Sequence, residues 1–193
     1  MRVIHFAFVA LFSLLITSCA HTVTRIEPGE TPDINGSWNN TDSRLTAEKM
    51  INQCLGEAWL VNHIQAKGKK PVVIVGMVNN KSHEHIEAET FMKDLERTFI
   101  TTTKVSLVQS GKKREEMRAE KADQQSNASA ATMKKFGLEN GADFILQGSI
   151  NSIVDAYKRK KTVTYQINLE LTNIETNEVV WIGDKKIAKY VKN

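Results

Sequence analysis

Covalent cross-linking has little to work with in this chain, which carries two cysteines, Cys19 and Cys54, in 193 residues. A small disulfide-stapled scaffold is therefore excluded. Three prolines and ten glycines exclude collagen-like and proline-rich rods. No apolar run approaches the roughly 20 residues that a membrane-spanning helix needs, which argues against a polytopic membrane protein. Charge of one sign is also in short supply. With 26 Lys plus Arg against 22 Asp plus Glu, the net charge of +4 is what a solubilising surface carries and is no argument for nucleic acid. What remains, at 41% apolar residues, is enough to bury the core of one ordinary domain.

The apolar residues are unevenly placed. Residues 1–18 combine Arg2, an apolar stretch from Val3 to Ile16 and the small residues Thr17 and Ser18, which is the layout of a secretory signal peptide. The string Ile16-Thr17-Ser18-Cys19 resembles a bacterial lipobox, in which the cysteine receives diacylglycerol and becomes the first residue after cleavage. Cys19 is accordingly read as the lipidation site, where several acyl chains on one residue anchor stably. That leaves Cys54 as the one remaining thiol, set in an apolar helical stripe and expected to be buried and inert.

Residues 19–41 read as a lipidated arm, polar and turn-rich, reaching on the order of 70–80 Å when fully extended. Trp38 is out of place in a solvated tether and is expected to dock on the domain, which is placed at residues 42–193. A first helix is expected from Asp42 or Ser43 to Asn62, with Ala47, Met50, Ile51, Cys54, Leu55, Ala58 and Trp59 on one face. The continuous apolar run over 71–78 predicts a strand buried on both faces and central in a sheet, ended by Asn79 and Asn80. A helix over 84–99 and a strand over 104–109 complete a βαβ unit. Residues 112–127 predict a solvated helix, and 128–139 a second helical piece stopped at Asn140-Gly141. Three strands follow, over 144–156, 163–172 and 179–188. The middle one alternates strictly from Val163 to Leu171, so one face is dry and the other wet. The fold class is α/β: a mixed sheet with an N-terminal βαβ unit and a C-terminal antiparallel meander, with helices packed on the sheet.

Catalytic constellations are missing. There is no nucleophile elbow, and Asn79-Asn80-Lys81-Ser82 stands where a phosphate-binding loop would need glycines. No cofactor is expected. His83 and His85 have ligand-type side chains, but their spacing lacks the four-residue period that puts two imidazoles on one helical face. An acidic first helical turn over 84–89, complementing the helix dipole, explains that cluster, and no metal site is assigned. Lys158-Arg159-Lys160-Lys161 is the densest positive run. It reads as a solvated hairpin turn, the functional alternative being contact with an acidic partner or an anionic wall polymer, and not nucleic acid.

Three strings carry a resemblance: Val78-Asn79-Asn80-Lys81-Ser82, Asn140-Gly141-Ala142-Asp143-Phe144-Ile145-Leu146, and Ile174-Glu175-Thr176-Asn177-Glu178-Val179-Val180-Trp181. In this order and spacing they resemble the LpoB-type penicillin-binding-protein activator lipoproteins, whose domain is similar to the N-terminal domain of TolB. The resemblance implies a non-enzymatic lipoprotein of the outer membrane, facing the periplasm. It implies binding and allosteric activation of a class A penicillin-binding protein, a bifunctional peptidoglycan synthase. Asn177 stands where the family often has Gly, and Asn tolerates the positive φ that the turn requires. The arm is short beside the long Pro-rich arm of the best-known activator, so reach constrains the partner. The contact surface expected here is Asn79, Asn80, Lys81, His83 and His85 together with Arg114 and Arg118 of the solvated helix, on a monomeric domain. The alternative function is a CsgG-like structural or secretion-associated lipoprotein scaffold.

Overall fold

The computed structural model describes residues 23–27, 29, 32–135 and 137–192, so the signal segment and Cys19 lie outside the described residues. Helix α1 spans Asn40–Cys54 and α2 spans Ala58–Lys67; strand β1 (Val72–Lys81), helix α3 (Ala88–Thr102) and strand β2 (Ser106–Leu107) follow. Helix α4 (Gly111–Asn127) precedes the three long strands β3 (Phe144–Tyr157), β4 (Lys160–Asn173) and β5 (Val179–Lys192). The sheet order is β2-β1-β3-β4-β5. β1 runs parallel to both β2 and β3, and β3, β4 and β5 form the antiparallel meander. This is the mixed α/β sheet expected from the sequence.

One face of the sheet is dry because every second residue of β4 is apolar: Val163, Tyr165, Ile167, Leu169 and Leu171 are fully buried. Against them pack Met50, Ile51 and Cys54 from α1 and Phe91, Leu95 and Phe99 from α3. The opposite face leaves Gln147, Glu170, Asp184 and Lys186 in solvent. Burial, chiefly, pushes the Cys54 thiol up to about 12, partly opposed by Trp59, so it is protonated and unreactive at neutral pH as expected. Trp38 also docks as expected, edge-on to Phe91 at 6.0 Å and to Tyr165 at 5.6 Å between ring centres. Asn177 adopts φ +58 in the β4–β5 turn, which therefore survives without glycine.

Several local expectations are corrected. The first helix is two helices, because the chain turns at Leu55–Glu57 and Trp59 Nε1 donates to the Cys54 carbonyl at 2.7 Å. Its cap is Asn39 and not Asp42 or Ser43: Asn39 and Asp42 form a reciprocal capping box in which Asp42 is the third helical residue. β1 continues through Asn79 and Asn80 to Lys81, and the central strand is β3. Only the first half of β1 is buried on both faces, since a register shift between Val75 and Val78 turns Met77 outward. Helix α3 starts at Ala88 rather than 84, because residues 82–87 are held as a loop. The second strand shrinks to Ser106–Leu107. Residues 128–139 form no helix where they are described: α4 ends at Asn127, followed by turns. Helix α4 itself is as solvated as its composition predicts, with no buried residue.

Candidate interaction site

The loop leaving β1 is built by short-range side-chain bonds. Asn80 extends back over it: its Nδ2 donates to the Glu84 carbonyl at 2.9 Å, and its Oδ1 accepts from the Ser82 N–H at 2.9 Å. These bonds hold residues 82–87 out of helical geometry. His83 is then placed against β3, its N–H donating to Ser152 Oγ at 2.9 Å and its Nδ1 lying 2.7 Å from the same hydroxyl. Its ring stacks over Tyr165. Glu84 turns the other way, into the sheet, where its carboxylate accepts from the Trp38 N–H at 3.1 Å and from the Tyr165 hydroxyl.

The end of the N-terminal arm is fixed by the same groups. The Tyr165 hydroxyl also reaches the Gly36 carbonyl at 3.2 Å. Lys189 Nζ, on a side chain 5% exposed, donates to Asp33 at 2.5 Å, to the Ser37 carbonyl at 2.9 Å and to Asp42. Burial lowers the Lys189 pKa, but the bonds to Asp33 and Asp42 outweigh that and leave it above the ordinary lysine value. For Glu84 burial likewise works against the charged form. The bonds from Tyr165 and Trp38 prevail and hold its carboxyl below the usual value. Burial first, and then Glu84, raise the Tyr165 hydroxyl, which stays a donor at any physiological pH.

A depressed carboxyl stabilises the fold above its unfolded pKa of 4.5, and the contribution is lost as pH falls through the folded value. Glu84→Gln keeps the shape but removes the charge, and is expected to cost about 1 kcal/mol at pH 7. Urea midpoints from pH 7 to pH 3 should fall more steeply in the parent than in Glu84→Gln. Parallel slopes would show that Glu84 does not titrate with folding.

The residues expected to form the contact surface divide into two places. Asn79, Lys81, His83 and His85 are exposed on and after β1, whereas Asn80 is half-buried and acts as the brace of the loop. Arg114 and Arg118 face the other side of α4. Arg114 Nε donates to the Gln109 carbonyl at 2.9 Å, and Arg118 pairs with Glu139 at 3.1 Å beside Lys121 at 3.2 Å. Among the described residues no hydrogen bond or ion pair joins the two groups. Between β1, α3 and α4 lies a cavity of about 570 Å³ bordered by Met77, Met92, Lys93, Glu96, Lys113 and Glu116. The His83 ring is engaged by Ser152, while the His85 side chain is 93% exposed and 4.0 Å from Glu87. They do not converge, and among the described residues no three His, Cys, Asp or Glu side chains do. Nothing in the sequence pointed to Ser152 or to the Glu84–Tyr165 bond; the isolated Trp38 was the one visible signal for this corner.

Such a site, a braced loop with exposed amides and imidazoles, suits contact with another macromolecule. Residues 42–187 match the family described as peptidoglycan-synthase activator LpoB, and the chain belongs to that family. Members activate another protein's catalysis. Among solved structures, the LpoB C-terminal domain from Escherichia coli is 19% identical, with a TM-score of 0.45, over 77% of this chain and 99% of that one. The same domain from Salmonella enterica is 19% identical, with a TM-score of 0.44, over 76% and 98%. Lipoprotein GNA1162 from Neisseria meningitidis is 12% identical, with a TM-score of 0.41, over 63% and 84%. Comparison with curated proteins gives no match. No described helix is long and apolar enough to cross a membrane.

Proposed function

We propose that this chain is an outer-membrane lipoprotein whose domain faces the periplasm, held by acylated Cys19 after removal of residues 1–18, and that it binds and allosterically activates a class A penicillin-binding protein. It makes no bond itself. The observation that carries this reading is the family match over nearly the whole domain. A monomeric domain favours the active conformation of the synthase by its differential affinity for that state. The loop of Asn79, Lys81, His83 and His85 makes one contact and the solvated helix with Arg114 and Arg118 makes the other. Docking of residues 33–39 on the domain leaves 14 residues between Cys19 and the docked segment, fewer than the 19–41 read from composition, with a reach of at most about 50 Å.

Two measurements test the reading. Acylated protein should retain a class A synthase from detergent-solubilised membranes and raise its glycan polymerisation in a purified system; absence of both would remove the proposed function. Reversing Lys81, Arg114 and Arg118 to Glu should weaken stimulation on the order of tenfold, chiefly through association, with the melting temperature little changed. Full stimulation by that variant would exclude this surface while leaving the function standing.

A further inference from the structure

The β3–β4 hairpin closes through Lys158 and Arg159, with Tyr157 paired to Lys160. Lys160 in turn pairs with Lys192 of β5, and Lys161 with Val191. Lys158, Arg159, Lys160 and Lys192 are exposed and Lys161 half-buried. None of these five forms an ion pair among the described residues. The acidic residue in these last rows of the hairpin is Asp155, opposite Thr162. Strand alternation puts Tyr157, Lys160 and Lys192 on one face, and Tyr190 and Ile153 follow on the same face. Tyr157 is 71%, Tyr190 61% and Ile153 68% exposed, and the Lys158 ammonium stands 5.2 Å from the Tyr157 ring centre. Cations with exposed tyrosines and an aliphatic side chain at one tip are the composition that settles at an anionic lipid–water boundary.

The arm leaves from this same end. Gly36 packs so tightly that a Cβ there would lie 2.4 Å from Val191 Cγ2, and Asp33 is held by Lys189. Lys189 is about 10 Å along β5 from Lys192 at the strand rise per residue. A flexible tether of 14 residues, the number from 19 to 32, spans about 20 Å on average. An anchored chain of that length brings the basic tip, and not the opposite end of the sheet, to the membrane.

Building on the acylation of Cys19 proposed above, we infer that the β3–β4 tip and the end of β5 form a docking surface for anionic phospholipid headgroups, so that the domain lies tip-down on the membrane that anchors it. Lipid phosphates pair with Lys158, Arg159, Lys160, Lys161 and Lys192, and Tyr157 and Tyr190 enter the headgroup layer.

The test uses the chain from residue 19 carrying Cys19→Ser, so that no acyl chain contributes, and vesicles of phosphatidylcholine with or without about 30% phosphatidylglycerol at low salt, where surface attraction is least screened. Co-sedimentation should require the anionic lipid. Changing Lys158, Arg159, Lys160 and Lys161 together to Gln should lower partitioning at least about tenfold. Changing Lys112 and Lys113 of α4 to Gln should leave it nearly unchanged. Equal binding to neutral vesicles, no loss in the tip variant, or an equal loss in the α4 variant would each overturn the proposal. So would loss of binding by the tip variant to isolated cell-wall sacculi alone, which would assign the tip to the wall polymer. The mass of the residue at Cys19 in the native protein is read separately. An unmodified cysteine there would remove the anchored orientation and hence the tip-down placement, while leaving synthase activation to its own assay.

Discussion

Gly148→Ala is expected to be the most damaging single-methyl change in the domain, costing about 3 kcal/mol or more, at the upper end of what overpacking does. Gly148 lies in β3 opposite Leu169, on the dry face of the sheet. A Cβ there would stand 2.1 Å from the Asn168 carbonyl oxygen and 2.6 Å from Leu169 Cδ2. Leucine can change rotamer, but the carbonyl belongs to the β3–β4 ladder, so relief requires opening hydrogen bonds in the middle of the sheet. For a domain of this size the loss corresponds to about 10 °C in melting temperature. Two controls separate crowding from loss of glycine as such. Gly183→Ala on the edge strand meets the Trp181 ring first, at 2.3 Å, with no backbone atom among its three nearest neighbours, and should cost less. Gly141→Ala has nothing within 4 Å and should be nearly neutral. A melting temperature for Gly148→Ala within a few degrees of the parent would show that the ladder is looser than this register implies.

What could be read in the sequence followed from the physics of each signal. Strict alternation from Val163 to Leu171 has one structural solution, a strand with one dry face, and β4 adopts it. The βαβ unit was equally legible, because a continuous apolar run followed by a helical period demands a parallel neighbour. The split between α1 and α2 was marked by Gly56, which periodicity alone passes over. Residues 84–87 were misread as the start of a helix because Glu84 complements a helix N-terminus equally well. What overrode that preference is a tertiary partner, the Tyr165 hydroxyl 81 positions away, and no local pattern reports such a bond. The candidate surface was legible in composition and not in placement. Exposed polar residues after β1 and along α4 were found, but only the fold shows that Arg114 and Arg118 turn toward Gln109 and Glu139.

The docked arm changes what the short tether means for function. Trp38, Ser37 and Asp33 belong to the domain in energetic terms, so any tether from Cys19 is counted to residue 32 and not to 41. Under the proposed acylation of Cys19 and the proposed tip docking, the domain stays within about 50 Å of Cys19, so the proposed synthase partner would have to reach it there.

Lys189→Met tests this arrangement at its buried ion pair and is expected to cost about 3 kcal/mol, the effect of stranding one half of such a pair. The Lys189 side chain is 5% and that of Asp42 11% exposed, whereas Asp33 is 58% exposed and regains water when released. Asp42 bears the loss, because its remaining donor is the Asn39 N–H at 3.0 Å. Asp42→Asn in the Lys189→Met background removes the stranded charge while keeping an acceptor for the capping box, and should recover part of the stability. The arm reports on the same event. Without Lys189, the Asp33 and Ser37 contacts vanish, and backbone amides at Ser37 and Trp38 should lose hydrogen-exchange protection more than those of β4. The contribution is present at neutral pH, below the unfolded lysine value, and disappears only as pH rises through the raised folded one. The parent should therefore lose stability in strong alkali that Lys189→Met does not lose. If Lys189→Met melts with the parent and keeps the amides of Ser37 and Trp38 protected, the arm is held by Trp38 packing and the Glu84–Tyr165 pair, and Lys189 is a passenger in the knot.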